Sequence, residues 1–176
     1  MTKVFSERIT EEIQQLCSTR EPSLLREKEV SSLRNLSFMN VWQEWTVRVP
    51  RFTTFLEATL ANPSQSRNKH KTTESILPSA VNAGSNLIKT FNQNMSAIQY
   101  INGLALKKGG AKKHVFEFFN NLGICVSYGQ VLKFQDQIAE TTVDEFSKLK
   151  RPMIVADNVD IRTHVRHMTA SKYDQS

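Results

Sequence analysis

The chain has only two cysteines in 176 residues, Cys17 and Cys125, which excludes a disulfide framework and a cysteine-rich zinc site. Its six glycines form no phosphate-binding loop, and no serine-nucleophile motif is present. We therefore expect reduced thiols, with Cys125 as a small buried side chain, and no cofactor. Because no complete set of catalytic residues is visible, the sequence predicts a protein that is not an enzyme.

The chain also lacks a continuous apolar run of about 18 residues, the length that a transmembrane helix needs. Its start, MTKVFSERIT, has no apolar centre of the kind found in secretory signals. The 39% of hydrophobic and 23% of charged residues are typical of a globular protein. We expect no membrane partner and an intracellular location, in the nucleus or the cytoplasm.

What the sequence does contain is a series of helical patterns, and residues 1–61 are predicted to form a helical N-terminal region. Its strongest pattern is the aromatic stripe of 38–45, made of Phe38, Val41, Trp42 and Trp45 after the predicted cap Ser37. A stripe that holds both tryptophans favours a core position. The alternative is an exposed surface that makes the protein a helical protein–protein interaction module.

Composition divides the rest of the chain into three segments. Residues 62–75 are polar and basic, which predicts a flexible linker. Residues 76–150 are predicted to be a helical domain. Residues 151–176 read as the start of a truncated α/β segment, because the apolar run 153–156 between Pro152 and Asp157 predicts one short strand. Such a strand has no partner in the chain, so we expect either a homo-oligomer or further strands beyond Ser176. The fold class is therefore mainly α, multi-helix, with this one C-terminal strand.

The most informative segment is a predicted helical hairpin in residues 115–138. Val115, Phe118, Phe119 and Leu122 follow helical spacing, which predicts that this stripe is buried. Gly123 then suits a left-handed helix end. Ser127 and Gln130 form a capping-box pattern for a second helix over 128–139, with Gln130, Lys133 and Gln137 exposed.

This hairpin resembles the turn of helix-turn-helix proteins, with two departures. Ser127 lies four residues after Gly123, where the pattern has its cap about two residues after the glycine. Phe119 stands where the family prefers a small residue. Lys133 is the only cation of the predicted second helix, whereas a recognition helix carries several polar and basic groups. A plain helical hairpin in a packed core is the competing interpretation.

Positive charge is concentrated just before the hairpin. The net charge is +6, and Lys107, Lys108, Lys112 and Lys113 bracket Gly109 and Gly110. Such a loop suits the phosphates of nucleic acids, since each neutralised phosphate releases a counterion. The alternative is a solvated lysine-rich loop that aids solubility. No aromatic residue lies between these lysines, so the sequence gives no support for stacking on bases.

Three segments in a fixed order carry a resemblance to a known family: FNQNMSAIQYINGLALKKGGAKK, FFNNLGICVSYGQVLKF and IVADNVDIRTHVRH. They resemble transposon-derived animal and fungal proteins in which a helical region precedes a ribonuclease-H-like transposase domain. The resemblance implies that Asp157 is a metal-binding carboxylate and Asp160 its neighbour. A complete site of that kind needs carboxylates from later strands, so the resemblance implies an incomplete nuclease.

Asp157, Asp160, His164 and His167 also fall on one face if a helix runs through them, which permits a transition-metal site. The alternative is a solvated polar face, and we predict no metal. The sequence as a whole predicts a non-catalytic, transposase-derived fragment that associates weakly with DNA. The expected contacts are Lys107, Lys108, Lys112 and Lys113 with Gln130, Lys133 and Gln137 of the 128–139 helix.

Overall fold

The computed structural model describes residues 2–60 and 73–149. These residues are mainly helical and contain no strand. A short 3-10 helix, Leu24–Arg26, accompanies eight α-helices: α1 Thr2–Leu16, α2 Val30–Asn35, α3 Phe38–Arg48, α4 Pro50–Leu60, α5 Thr73–Phe91, α6 Ala97–Lys108, α7 Lys113–Asn121 and α8 Tyr128–Ser147.

The larger hydrophobic core surrounds Trp45 of α3. This side chain is completely buried and packs edge-on against Phe52 of α4, with 5.8 Å between the ring centroids. Gly84 of α5 makes the close approach possible, because a Cβ atom there would lie 2.5 Å from Trp45 Cζ3 and 2.8 Å from Leu56 Cδ1. Ile13 of α1 belongs to the same core. The helices before and after residues 61–72 therefore share one core.

A buried carboxylate fixes the start of α4. Pro50 occupies the first position of this helix, where its missing N–H costs no hydrogen bond. Glu12 of α1 accepts hydrogen bonds from the backbone N–H of Arg51 at 3.0 Å and of Phe52 at 3.3 Å. The Arg51 guanidinium adds a 2.7 Å contact to the other carboxylate oxygen. Glu12 thus satisfies the amides at the positive end of the helix and ties α1 to α4.

A second, smaller core forms where α7 and α8 pack near α6, and α6 contributes residues to both cores. Met95, just before α6, and Ile98 in its first turn contribute to the large core. Further along, Gly103 lets α8 come close, because a Cβ atom there would lie 2.6 Å from Val131 Cγ2. Phe116 of α7 is completely buried beside Tyr128, with 5.2 Å between the ring centroids.

The buried stripe predicted for α7 is wrong. Phe116 is the buried aromatic residue, whereas the side chains of Phe118 and Leu122 are 61% and 55% exposed. Val115 and Phe119 are half-buried. The four predicted positions do share one stripe, but α7 turns Phe116 toward Cys125 and Val126 and leaves most of that stripe in solvent.

Several predicted helix boundaries also change. Helix α8 continues to Ser147 without interruption, because no glycine or proline follows Gly129 within it. Helix α5 begins at Thr73, inside the predicted linker of 62–75. The predicted strand at 153–156 lies outside the described residues.

Candidate nucleic-acid interface

The lysine turn, residues 107–113, connects α6 to α7 through a tight glycine-based helix end. Gly110 adopts a φ of 77°, the left-handed conformation that glycine accepts without strain. The N–H of Gly110 donates to Lys107 O and the N–H of Ala111 donates to Leu106 O, both at 3.0 Å. This pair of bonds is the Schellman motif, which satisfies carbonyls at a helix end. Gly109 and Gly110 thus end α6.

The four lysines of the turn have different surroundings. Lys107 is half-buried, and its Nζ donates to the Tyr128 hydroxyl at 2.9 Å and lies 4.8 Å from the centroid of that ring. Lys113 Nζ is 3.7 Å from Glu117, but both side chains are exposed, so this pair contributes little. Lys108 and Lys112 are exposed and have no acidic partner within the described segments.

The helix dipoles favour cations on the α6 side of the lysine turn and disfavour them on the α7 side. Lys107 and Lys108 stand in the last turn of α6, where cations are favoured by the negative end of the dipole. Lys112 is the N-cap of α7 and forms no capping hydrogen bond through its side chain, and the first turn of α7 contains no acid. Helices commonly place Ser, Thr, Asp or Asn at this position. Here two lysines adjoin the positive end of α7, so the turn is strongly electropositive.

The side chains predicted on α8 lie on a different surface. The Ser127–Gln130 capping box is confirmed, and Gln130 Oε1 accepts a hydrogen bond from Ser127 N at 3.2 Å. Gln130, Lys133 and Gln137 are exposed, as predicted. They line the α8 groove, a cavity of about 800 Å³ that also holds Lys28, Glu29, Tyr100 and Glu140. Two acids balance the two lysines of this groove, whereas the lysine turn is cationic.

An uncharged cavity lies directly beside the lysine turn, and the sequence did not indicate it. We call it the amide pocket. It has a volume of about 560 Å³, and its walls combine three asparagines with apolar side chains: Asn82, Asn86, Asn102, Leu106, Phe119 and Ile124. Gly109 and Ala111 of the turn also line it. The available signal was the pair Asn82 and Asn86, two amide side chains one helical turn apart on α5.

Both cysteines are buried free thiols. Burial raises the pKa of the Cys17 thiol and also the pKa of the Cys125 thiol. Cys125 Sγ is 3.8 Å from Phe116 O, inside the small core beside α7. The same neighbourhood lowers the pKa of Lys89 through burial of its ammonium group. Raised pKa values keep both thiols protonated at neutral pH, so neither is poised as a nucleophile.

The aromatic stripe of 38–45 is part of the core. Val41 and Trp45 are completely buried, and Phe38 and Trp42 pack against the large core while remaining partly exposed. The alternative function, protein interaction through this stripe, would therefore depend on the partly exposed faces of Phe38 and Trp42.

Two further sequence proposals lie outside the described residues. These are the carboxylates Asp157 and Asp160, and the arrangement that adds His164 and His167. Within residues 2–60 and 73–149, no group of three or more histidine, cysteine or acidic side chains is placed to hold a metal ion. None of the helices in these segments has the length and apolar character needed to cross a bilayer.

Comparison with known proteins gives no match: no family model, no curated protein and no solved structure is significantly similar to the chain.

Proposed function

We propose that the protein is a non-catalytic DNA-associating module that holds phosphates at its lysine turn. The observation that carries this proposal is the excess of positive charge at the start of α7. Lys108 and Lys112 are exposed without acidic partners in the described segments, and Lys112 and Lys113 adjoin the helix N-terminus. Like charges at that end oppose folding by several tenths of a kcal/mol each. A bound phosphate would remove this penalty.

The lysine turn is a better phosphate site than α8. The amide of Gln130 is engaged in the capping box, and Lys133 shares its groove with Glu29 and Glu140. We therefore assign the main contacts to Lys108, Lys112 and Lys113, and we keep Lys133 and Gln137 as secondary contacts. In this proposal α7, the Gly123 turn and α8 form a helix-turn-helix-like hairpin that supports the lysine turn and does not read bases in the major groove.

Transposase ancestry is a separate part of the proposal, and it rests on the three sequence segments quoted above. In this proposal residues 91–149 correspond to part of the helical region that precedes the catalytic domain in the resembling proteins. A phosphate-binding turn without a nuclease site is consistent with such a region.

The phosphate contacts are tested by fluorescence anisotropy with a labelled DNA duplex over a range of salt concentrations. We expect a dissociation constant of about 10⁻⁴ to 10⁻⁶ M near physiological salt, the range of non-specific binding. The triple variant Lys108→Gln, Lys112→Gln, Lys113→Gln should reduce the slope of log K against log salt by about 2 to 3.

The matched control removes three exposed cations elsewhere, through Lys3→Gln, Arg20→Gln and Lys148→Gln. Its net charge equals that of the triple variant, so general electrostatic attraction falls equally in both. If the two variants flatten the salt slope to the same extent, binding is not localised at the lysine turn and the proposal fails.

A further inference from the structure

The amide pocket offers one hydrogen-bond acceptor whose identity is fixed by its neighbours. Asn102 Nδ2 donates to the backbone carbonyl of Ile124 and to Asn82 Oδ1, both at 2.8 Å. A carbonyl only accepts, so the nitrogen of Asn102 must face it. Asn82 is oriented in the same way, because its Nδ2 donates to Pro78 O at 2.9 Å. Asn102 Oδ1 then remains as an acceptor without a partner among the described residues.

The same pocket offers one hydrogen-bond donor. Ser85 Oγ donates to Asn82 O at 2.9 Å, so its oxygen is left to accept a hydrogen bond from Gln99 Nε2 at 3.4 Å. Gln99 Nε2 also donates to Asn86 Oδ1 at 2.9 Å. In this arrangement the Oδ1 of Asn86 faces Gln99, and Nδ2 is a donor with no partner in the described segments, while Gln99 Oε1 is buried without a partner there. Gln99 is completely buried and acts as the residue that positions Asn86.

A free donor and a free acceptor between apolar walls suit a planar, uncharged ligand. Nucleobases are planar, have apolar faces, and present donors and acceptors side by side along their edges. Phe119 supplies an aromatic surface in the pocket wall, and aromatic side chains stack on bases of any identity. No charged side chain lines the pocket, which suits the uncharged part of a nucleotide. Its volume of about 560 Å³ lies within the range of known ligand sites.

The position of the pocket indicates where the charged part of the ligand lies. Gly109 and Ala111 line the pocket, and their chain neighbours Lys108 and Lys112 are exposed. We infer that the amide pocket binds one unpaired nucleobase of a DNA strand whose phosphates contact the lysine turn. The phosphate part of this inference rests on the proposed function, whereas the base pocket rests on the asparagines and Phe119 alone.

The test compares two labelled single strands of equal length by fluorescence anisotropy, one with bases and one with abasic sites throughout. Both carry the same phosphates, so only contacts to bases distinguish them. We expect the base-bearing strand to bind about tenfold more tightly, the magnitude of one stacked base. Phe119→Leu should abolish this preference, whereas Phe119→Tyr, which keeps an aromatic ring, should retain it.

A second variant tests the polar contacts. Asn86→Asp keeps the oxygen that accepts from Gln99 but replaces the free donor with an acceptor, so it should weaken binding of the base-bearing strand more than binding of the abasic strand. Asn35→Asp, at an exposed position on α2, adds the same charge elsewhere and should leave the preference unchanged. Thermal unfolding followed by circular dichroism establishes that each variant is folded before its binding is compared.

The outcomes separate the two proposals. Equal affinity for both strands, with the salt slope still dependent on the three lysines, overturns the base pocket and leaves the phosphate site standing. A base preference that survives the triple lysine variant with an unchanged salt slope supports the pocket and overturns the phosphate site. Displacement of the labelled strand by low concentrations of a free deoxyribonucleotide would overturn the assignment to a strand.

Discussion

Helices α3 and α7 carry similar aromatic stripes and use them in opposite ways. Val41 and Trp45 of α3 are completely buried, whereas Phe118 and Leu122 of α7 are more than half exposed. The difference lies in the neighbours. Helix α3 packs against α1, α4 and α5, while the main partner of α7 among the described helices is α8. Helical spacing of apolar residues shows that a stripe exists, but the number of surrounding helices decides whether that stripe is covered.

The largest expected effect tests the covered stripe. Trp45→Ala should lower the free energy of unfolding by about 3 to 5 kcal/mol, because it removes buried apolar contacts and leaves a cavity in the large core. The indole Nε1 has no hydrogen-bond partner in the described part of the chain, so packing is the interaction that is lost. Urea unfolding followed by far-UV circular dichroism measures the change. Trp42→Ala, at a half-buried position, should cost clearly less, and equal costs would contradict the distinction.

The second prediction contrasts two phenylalanines of α7. Phe116→Ala should cost about 3 kcal/mol, the lower end for a buried phenylalanine, because its core is small. Phe118→Ala should change the free energy of unfolding by less than about 0.5 kcal/mol, as expected for an exposed side chain. The same urea experiment measures both. A large loss from Phe118→Ala would show that the exposed stripe is covered in solution.

The third prediction concerns the glycine that lets Trp45 reach α5. Gly84→Ala should destabilise the protein by about 1 to 3 kcal/mol, since the new methyl group overlaps Trp45 and Leu56 and the strain exceeds the gain in helix propensity. Gly129→Ala is the matched control within α8, where no atom lies within 4 Å of the added Cβ. This control should stabilise by up to about 1 kcal/mol. Opposite shifts in melting temperature are the expected result.

The smallest effect concerns how α8 begins beside α7. Ser127→Ala removes the side chain that accepts from Gln130 N and should cost about 1 kcal/mol. Ser79→Ala, at an exposed site inside α5, should be neutral within about 0.5 kcal/mol. Urea midpoints of the two variants give the comparison. A neutral result for Ser127→Ala would mean that packing of Val131 alone sets the start of the helix.

Local signals in the sequence predict the parts of this fold that depend on a few neighbouring residues. The capping box at Ser127, the cap at Ser37 and the helix end at Gly123 are confirmed, because each depends on backbone conformation within about one helical turn. The orientation of α7 could not be predicted in this way. It depends on contacts of Phe116 with residues that follow a turn.

The candidate site likewise has features that the sequence predicts and features that it does not. The exposure of Lys108, Lys112 and Lys113 was predictable, because glycines and clustered charges indicate a surface turn. The amide pocket was not, since Asn86 and Asn102 belong to different helices and meet only after α5 packs on α6. The sequence also gave no support for base stacking, because Phe119 lies near the lysine turn in the fold but not between its lysines in the sequence.

Gly110 and Gly123 both adopt the left-handed backbone conformation in open surroundings. Each has a φ near +77° or +76°, and a Cβ atom built on either would meet no atom within 4 Å. An ordinary side chain would therefore find room there and still be opposed by its own backbone torsion. L-residues are therefore disfavoured at these two positions because of backbone conformation and not because of side-chain size. In a chemically synthesised chain, D-alanine at either one would suit the turn while restricting the unfolded ensemble.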